Sequence, residues 1–262
     1  GTSSCLQLDR ETELYEIKTE VAPGIGVAMY GELNEQDEME IEYYYPYILN
    51  EEVTSRAECS IQRHTEKETY AGLLDEYKVG LSLIFYLLNP IEYRECYRKE
   101  HERLQVTSVS LAGFANRGKV LLPIKKTALQ IEKAKVAAKN RDELLEAAKN
   151  GDEDGMEALP IEDLDLYSMA SRRATREDIY SIVDTTFMPS GIECDQYSIL
   201  GEIKEVICKK NRFTGEEIYD LKVECNDLYF RVGINKMDLL GEPLPGRRFK
   251  GKIWMMGTAH FA

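Results

Sequence analysis

The chain has 262 residues, 43% of them hydrophobic and 31% charged, with a formal net charge of −14. That balance excludes a disordered polypeptide and is enough for a real core. The longest apolar run, Val79 to Leu88, falls well short of the ~18 residues a spanning helix needs, and no stretch of the given sequence combines a basic start, an apolar middle and a small-residue cleavage site, so a cytoplasmic protein without membrane contact is expected.

The acidity is uneven. Gly1 to Glu102 holds twenty-two Asp/Glu against nine Lys/Arg, whereas Gln196 to Ala262 holds nine against eleven. A polyanion is repelled by the first part and tolerated only by the last. The six cysteines lack any C-x-x-C spacing and lie in strand-like apolar segments, which reads as buried free thiols in a reducing compartment. The chain begins with Gly1 rather than Met, which fits either a fragment or a tag scar.

In chain order, Glu13 to Val21 alternates, Ala22-Pro23-Gly24 breaks it, and Ile25 to Leu33 is a second extended run. Met39, Ile41, Tyr43, Tyr45 and Tyr47 then fall on one face of a strand, with Glu40, Glu42 and Tyr44 on the other. Such a tyrosine-rich strand suits either sheet packing or, where Tyr stands exposed beside Glu, a protein interface. Ala57 to Arg63 adds another strand, and Val79 to Leu88, apolar on both faces, reads as a central one. Asn89-Pro90 opens a helix that runs to about His101, with Asn as cap and Pro in its first turn.

Asn116-Arg117-Gly118 reads as the loop of a hairpin between Leu104 to Ala115 and Lys119 to Ile124. Thr127 to Lys139, Arg141 to Lys149 and Ile161 to Arg172 are helical by propensity, while Tyr180 to Met188 fits helix or strand. Toward the end, Ile199 to Cys208, Tyr219 to Cys225, Leu228 to Ile234 and Phe249 to Gly257 read as strands. Turns at Asn211 to Gly215 and Asn226-Asp227 and a short helical turn over Lys236 to Leu240 connect them. This pattern suggests an oligonucleotide/oligosaccharide-binding (OB) barrel, which has five strands where four are visible, so the barrel is incomplete or takes one from upstream.

The fold class expected is therefore α+β: an acidic body of mixed or antiparallel sheet with helices over residues 1–124, a helical connector over 125–189, and an OB-like small β-barrel over 190–262.

Catalytic signals are sparse. No H-E-x-x-H, G-x-S-x-G or phosphate-binding glycine loop occurs, and the three histidines carry no motif. His64 and Glu68 stand four apart within a charged stretch that reads as solvated surface. Asn150, Asp152 and Asp154, followed by Gly155, match the front half of a calcium loop. Ile161 stands where the bidentate Glu belongs, so helix capping is the better reading and no metal or cofactor is expected. On the C-terminal strands, Tyr229, Arg231, Lys250, Lys252 and Trp254 alternate outward, an aromatic and cationic set of the kind that binds single-stranded nucleic acid. A solvated or covered strand face accounts for the same pattern.

Five blocks carry a resemblance: VAPGIGVAMYGE (Val21 to Glu32), YKVGLSLIFYLLN (Tyr77 to Asn89), NGDEDGMEAL (Asn150 to Leu159), SIVDTTFMPSGIECDQYSILGEI (Ser181 to Ile203) and NKMDLLGEPLPGRRFKGKIW (Asn235 to Trp254). Together they resemble a domain-of-unknown-function family from anaerobic Gram-positive bacteria. The resemblance implies a cytoplasmic bacterial protein and brings no activity, ligand or site residue. The expected function is non-enzymatic binding or scaffolding with a protein partner. Single-stranded nucleic-acid binding through the barrel and a carboxylate-dependent hydrolase are the alternatives.

Overall fold

The computed structural model describes residues 2–7, 13–64, 67–100, 104–124, 183–191 and 194–262. The chain divides into two units: Gly1–Leu121 with Thr185–Ala262, and Leu122–Asp184. Most of the second unit, including the expected helices of 125–182 and Asn150, Asp152 and Asp154, lies outside the described residues.

The first unit is built almost wholly of strands. β1 (Thr2–Gln7), β2 (Glu13–Ala22), β3 (Ile25–Leu33) and β4 (Met39–Ile48) form an antiparallel four-stranded sheet in chain order. The turn at Pro23-Gly24 is tight because Gly24 takes a φ of 70°. A second sheet has ten strands. Its members are β5 (Cys59–Arg63), β6 (Tyr70–Glu76), β7 (Leu81–Leu87), β8 (Val106–Leu121), β9 (Thr186–Pro189), β10 (Gln196–Lys210), β11 (Glu217–Cys225), β12 (Leu228–Asn235), β13 (Leu239–Leu240) and β14 (Arg248–Phe261). The single α-helix among the described residues is α1 (Pro90–Glu100), where the Asn-Pro signal places it.

Within the larger sheet, five strands close a ring. β8 pairs β12 in parallel, β12 pairs β11, β11 pairs β10, β10 pairs β14 and β14 returns to β8, the last four pairings antiparallel. The far end of β14 leaves the ring to pair β7 in parallel through Met256 and Gly257, which carries the sheet on into β6 and β5. Leu111, Ile203, Leu221, Val223, Phe230, Val232 and Phe249 belong to the core of this sheet, each at most 1% exposed.

The expected α+β class is overturned by this architecture. Strand dominates, and one eleven-residue helix stands among the described residues; the C-terminal strands share one sheet with β5 to β8, and the fifth strand of their ring is β8, from upstream. The misreading has a local cause at Asn116-Arg117-Gly118. Instead of a hairpin loop, the segment lies inside the sixteen-residue β8, where Asn116 is an extra residue opposite the Lys252–Ile253 step of β14. Gly118 serves close approach rather than a turn: a Cβ there would stand 2.5 Å from the Phe249 ring and 3.0 Å from Ile234.

Two smaller differences have similar causes. Val79 belongs to the turn between β6 and β7, which Gly80 completes with a φ of 68°. Ile41 does not share the face of Tyr43, because the β3–β4 register shifts between Tyr30–Tyr43 and Gly31–Ile41 and leaves Glu42 as the extra residue.

The smaller sheet packs one face onto the outside of the larger. Leu14, Ala28, Tyr30, Tyr45 and Ile48 bury against Ala112, Met256 and half-buried Phe114, Tyr86 and Trp254. Tyr30 stacks on Tyr43 with ring centroids 4.8 Å apart, and Tyr45 meets Tyr86 edge-on at 4.7 Å. A buried polar chain runs through this layer: the Tyr30 hydroxyl donates to Glu16, lies 2.7 Å from the Tyr45 hydroxyl, and Glu16 also takes Ser4 Oγ at 2.8 Å and Lys18 Nζ at 2.9 Å. Each partner satisfies a group that burial would otherwise leave at a cost.

Candidate functional site

β1 to β4 bury one face, and among the described residues no element packs on the other, the bare face. On the bare face three cross-strand rows follow from the register: Tyr15, Gly31 and Ile41; Ile17, Met29 and Tyr44; Thr19, Val27 and Pro46. Tyr44 is 72% exposed and Ile41 53%, while Ile17, Val27 and Met29 are half-buried. The bulge at Glu42 is what adds Ile41 to this face, and Gly31 permits it: a Cβ there would sit 1.9 Å from the Glu40 carbonyl oxygen. The rows carry no Lys or Arg, and residues 1–48 as a whole hold eleven Asp/Glu against two Lys/Arg. One of those two, Lys18, points to the inner face, where it meets Glu16 and donates to the Leu88 carbonyl at 3.3 Å. Exposed Glu13, Glu40 and Glu42 stand on the same strands.

The outward set on the C-terminal strands is divided by the fold. Tyr229 and Arg231 lie on β12, Lys250, Lys252 and Trp254 on β14, and β8 runs between them. Arg231 donates Nε–H to Asp220 at 2.8 Å and Nη1–H to Glu205 at 2.6 Å. Burial opposes its charge, and the two carboxylates outweigh that and hold its pKa above the ordinary value. Asp220 is 1% exposed and also receives Lys209 Nζ at 2.7 Å. Tyr229 is 42% exposed, with Lys222 Nζ 5.7 Å from its ring centre and held by Glu52 at 2.6 Å. Trp254 donates Nε1–H to Asp195 at 2.6 Å and meets Tyr86 edge-on at 5.5 Å. Lys252 is exposed and Lys250 half-buried.

The sequence reading missed what stands opposite these two lysines. Lys119 of β8 pairs in register with Lys250, and Arg117 pairs with Lys252. Reading Arg117 and Lys119 as a loop and its flank hid them. No local signal reveals the pairing, because it joins positions more than 130 residues apart in the chain.

Four buried carboxylates each serve a separate cluster. Glu16 lies in the tyrosine layer. Glu68 takes the Tyr70 hydroxyl, Arg63 at 2.9 Å and Arg94 at 3.3 Å; Glu76 takes Ser55 Oγ at 2.5 Å; Asp220 joins Lys209 to Arg231. No two of them converge on one partner among the described residues. His64 sits in the connection between β5 and β6 and donates its backbone N–H to Thr69, so it is not on a helix with Glu68. His260 Nε2 is 3.0 Å from the Ser110 hydroxyl.

No group of three His, Cys, Asp or Glu able to hold a metal ion is present among the described residues. All six cysteines are free, but only Cys225 is buried, its thiol pushed up to about 12 chiefly by burial; Cys5 and Cys208 are exposed. No helix among the described residues is long and apolar enough to cross a membrane.

A family model described as a domain of unknown function and named for E. rectale (DUF3881) matches residues 2–257, and the chain belongs to that family. No curated protein and no solved structure matches the chain.

Proposed function

We propose that this member of the family is a non-enzymatic, cytoplasmic binding or scaffolding protein. It docks a partner on the bare face of the β1–β4 sheet. The observation that carries this is the 72% exposure of Tyr44 within a continuous apolar surface of Ile17, Met29, Val27 and Ile41. Monomeric proteins rarely leave a broad apolar surface uncovered, and aromatic residues with Met are the side chains that interfaces enrich.

Charge selects the partner. With eleven acidic residues against two basic ones over residues 1–48, the surroundings of this face repel nucleic acid, anionic lipid and a second copy of the same acidic sheet. The occupant is a protein segment that presents apolar side chains flanked by Lys or Arg.

A labelled amphipathic Leu/Lys peptide tests this, beside its Leu/Glu counterpart and a scrambled Leu/Lys peptide of the same composition. The Leu/Lys peptide binds and is weakened about tenfold by Tyr44→Ser, a central aromatic truncation that leaves the charge unchanged. Equal binding of the Leu/Glu peptide overturns the cationic partner. Equal binding of the scrambled peptide, or indifference to Tyr44→Ser, overturns the docking face. A concentration-dependent dimer that Tyr44→Ser dissociates assigns the face to a second copy instead.

A further inference from the structure

We infer that the free edge of β1 is a second binding surface, where an extended, Lys- or Arg-bearing segment of another protein adds itself as a strand to the β1–β4 sheet. β1 stands at the end of that sheet and pairs with β2, from Thr2 opposite Lys18 to Gln7 opposite Glu13. In an antiparallel pair about half of a strand's N–H and C=O groups turn away from the neighbour. On Ser3, Ser4, Cys5 and Leu6, the groups that turn away from β2 make no hydrogen bond among the described residues. The helix α1 lies beside β1, and Ile91 at its start joins Leu6 in the core layer under the sheet. A helix bonds its main chain internally, so α1 gives the edge no partner.

Proteins guard open sheet edges with charge, proline, bulges or very short strands. The other strand edges of this unit carry such guards. β4 has Pro46, exposed Glu40 and Glu42, and the bulge at Glu42, whose carbonyl already accepts from Lys67 Nζ at 2.8 Å. β9 has four residues and ends at Pro189, β13 has two, and the five-residue β5 ends at Arg63. β1 has six residues, Thr-Ser-Ser-Cys-Leu-Gln, without charge, without proline and without a bulge against β2.

Charge selects the occupant. Residues 1–48 hold eleven Asp/Glu against two Lys/Arg, and exposed Glu13 stands on β2 directly opposite Gln7. Two copies joined edge to edge merge two such acidic sheets, so the added strand comes from another protein and presents Lys or Arg. Its side chains on the bare-face side stand beside exposed Ser3 and Cys5. The edge shares only its charge preference with the docking face. Main-chain bonds hold the added strand, whereas the docking face depends on the Tyr44 side chain, so either surface stands without the other.

The test uses the full chain and a fluorescent alternating Thr/Lys peptide of about nine residues, within the usual range of strand lengths. Beside it stand the same peptide N-methylated throughout and an alternating Thr/Glu peptide. The Thr/Lys peptide is expected to bind, to slow amide hydrogen exchange in residues 2–7, and to bind Tyr44→Ser as well as wild type. N-methylation keeps the side chains and removes every main-chain donor, so it weakens binding at least about tenfold. Ser3→Lys with Cys5→Lys gives β1 the charge guard it lacks and weakens binding by at least about tenfold; both positions are exposed, so circular dichroism and the urea midpoint stay at wild type. Equal binding of the N-methylated or the Thr/Glu peptide, absence of binding by the Thr/Lys peptide, or unchanged exchange in residues 2–7 overturns the proposal. Loss of binding in Tyr44→Ser moves the peptide to the docking face and overturns it too. A peptide-free dimer that protects residues 2–7 and is dissociated by Ser3→Lys with Cys5→Lys assigns the edge to a second copy instead, against the proposal.

Discussion

Asn89 and Ala259 form a two-way amide pair: the Ala259 N–H donates to Asn89 Oδ1 at 3.1 Å, and Asn89 Nδ2 donates to the Ala259 carbonyl at 2.8 Å. The side chain thus does for β14 what another strand would do, just beyond the short β7–β14 pairing at Gly257. The Leu88 N–H, which donates to the Gly257 carbonyl at 2.8 Å, leads the chain into this clamp. Asn89 stands immediately before α1 and its carbonyl accepts from the Tyr93 N–H, so one residue starts the helix and fixes it to the sheet.

Replacing Asn89 with Ala removes both hydrogen bonds and leaves two backbone groups without partners, at a cost of about 1–3 kcal/mol. Asn89→Asp keeps the acceptor and loses the donor, so it falls between wild type and Asn89→Ala. Urea denaturation of the three proteins checks the order. Equal stability of Asn89→Ala and wild type rules the clamp out as a stabilising contact.

Asp220 is the second place where a single substitution is costly. Its carboxylate is 1% exposed between Arg231 and Lys209, and Lys209 also donates to the Pro23 carbonyl at 2.7 Å. Removing one partner of a buried charge cluster strands the others, so Asp220→Ala is expected to cost roughly 3–5 kcal/mol. Because Lys209 ties the β2–β3 turn to the larger sheet, limited proteolysis of Asp220→Ala should also cut faster within the first 48 residues. A double-mutant cycle with Arg231→Met isolates the pair; a coupling energy near zero removes this account.

The tyrosine layer sets the response to alkali. Burial, the leading cause in each case, raises the pKa of Tyr30, Tyr43, Tyr45 and Tyr86, and it pushes Tyr197 up to about 12 against the opposing bond to Ile84. An unfolded tyrosine ionises near pH ~10. Above that value the unfolded state has released protons that the folded state still holds, so stability falls as pH rises. The contribution is complete below about pH 10 and is lost through about pH 12 for Tyr197. Phenolate absorbance from the buried tyrosines should therefore rise together with the loss of near-ultraviolet circular dichroism. Ionisation of the whole set at pH 10 with the fold intact contradicts the burial.

Much of the local structure was legible because it depends on neighbours in sequence. Tyr219 to Cys225 and Leu228 to Ile234 alternate, and Asn226-Asp227 between them adopts positive φ of 52° and 60°, the left-handed pair a two-residue hairpin requires. Asn235 caps the short 3₁₀ turn over Lys236–Asp238 by accepting from the Met237 N–H. Strand β6 gave no comparable signal. Ala71-Gly72-Leu73-Leu74 has no clear alternation, and Gly72 is small because the Phe85 ring occupies the space a Cβ would need.

The sequence by itself determined the alternating strands of the C-terminal half, the Asn-Pro start of α1 and the concentration of acid in the first hundred residues. Tertiary structure alone decided that β8 continues through Asn116-Arg117-Gly118, that Ile41 joins Tyr44 on the bare face, and that Lys119 and Arg117 face Lys250 and Lys252. The reason is physical. Alternation and turn propensity act over a few residues, whereas a bulge, and every cross-strand neighbour, is fixed by the register with a strand that the chain brings in from far away.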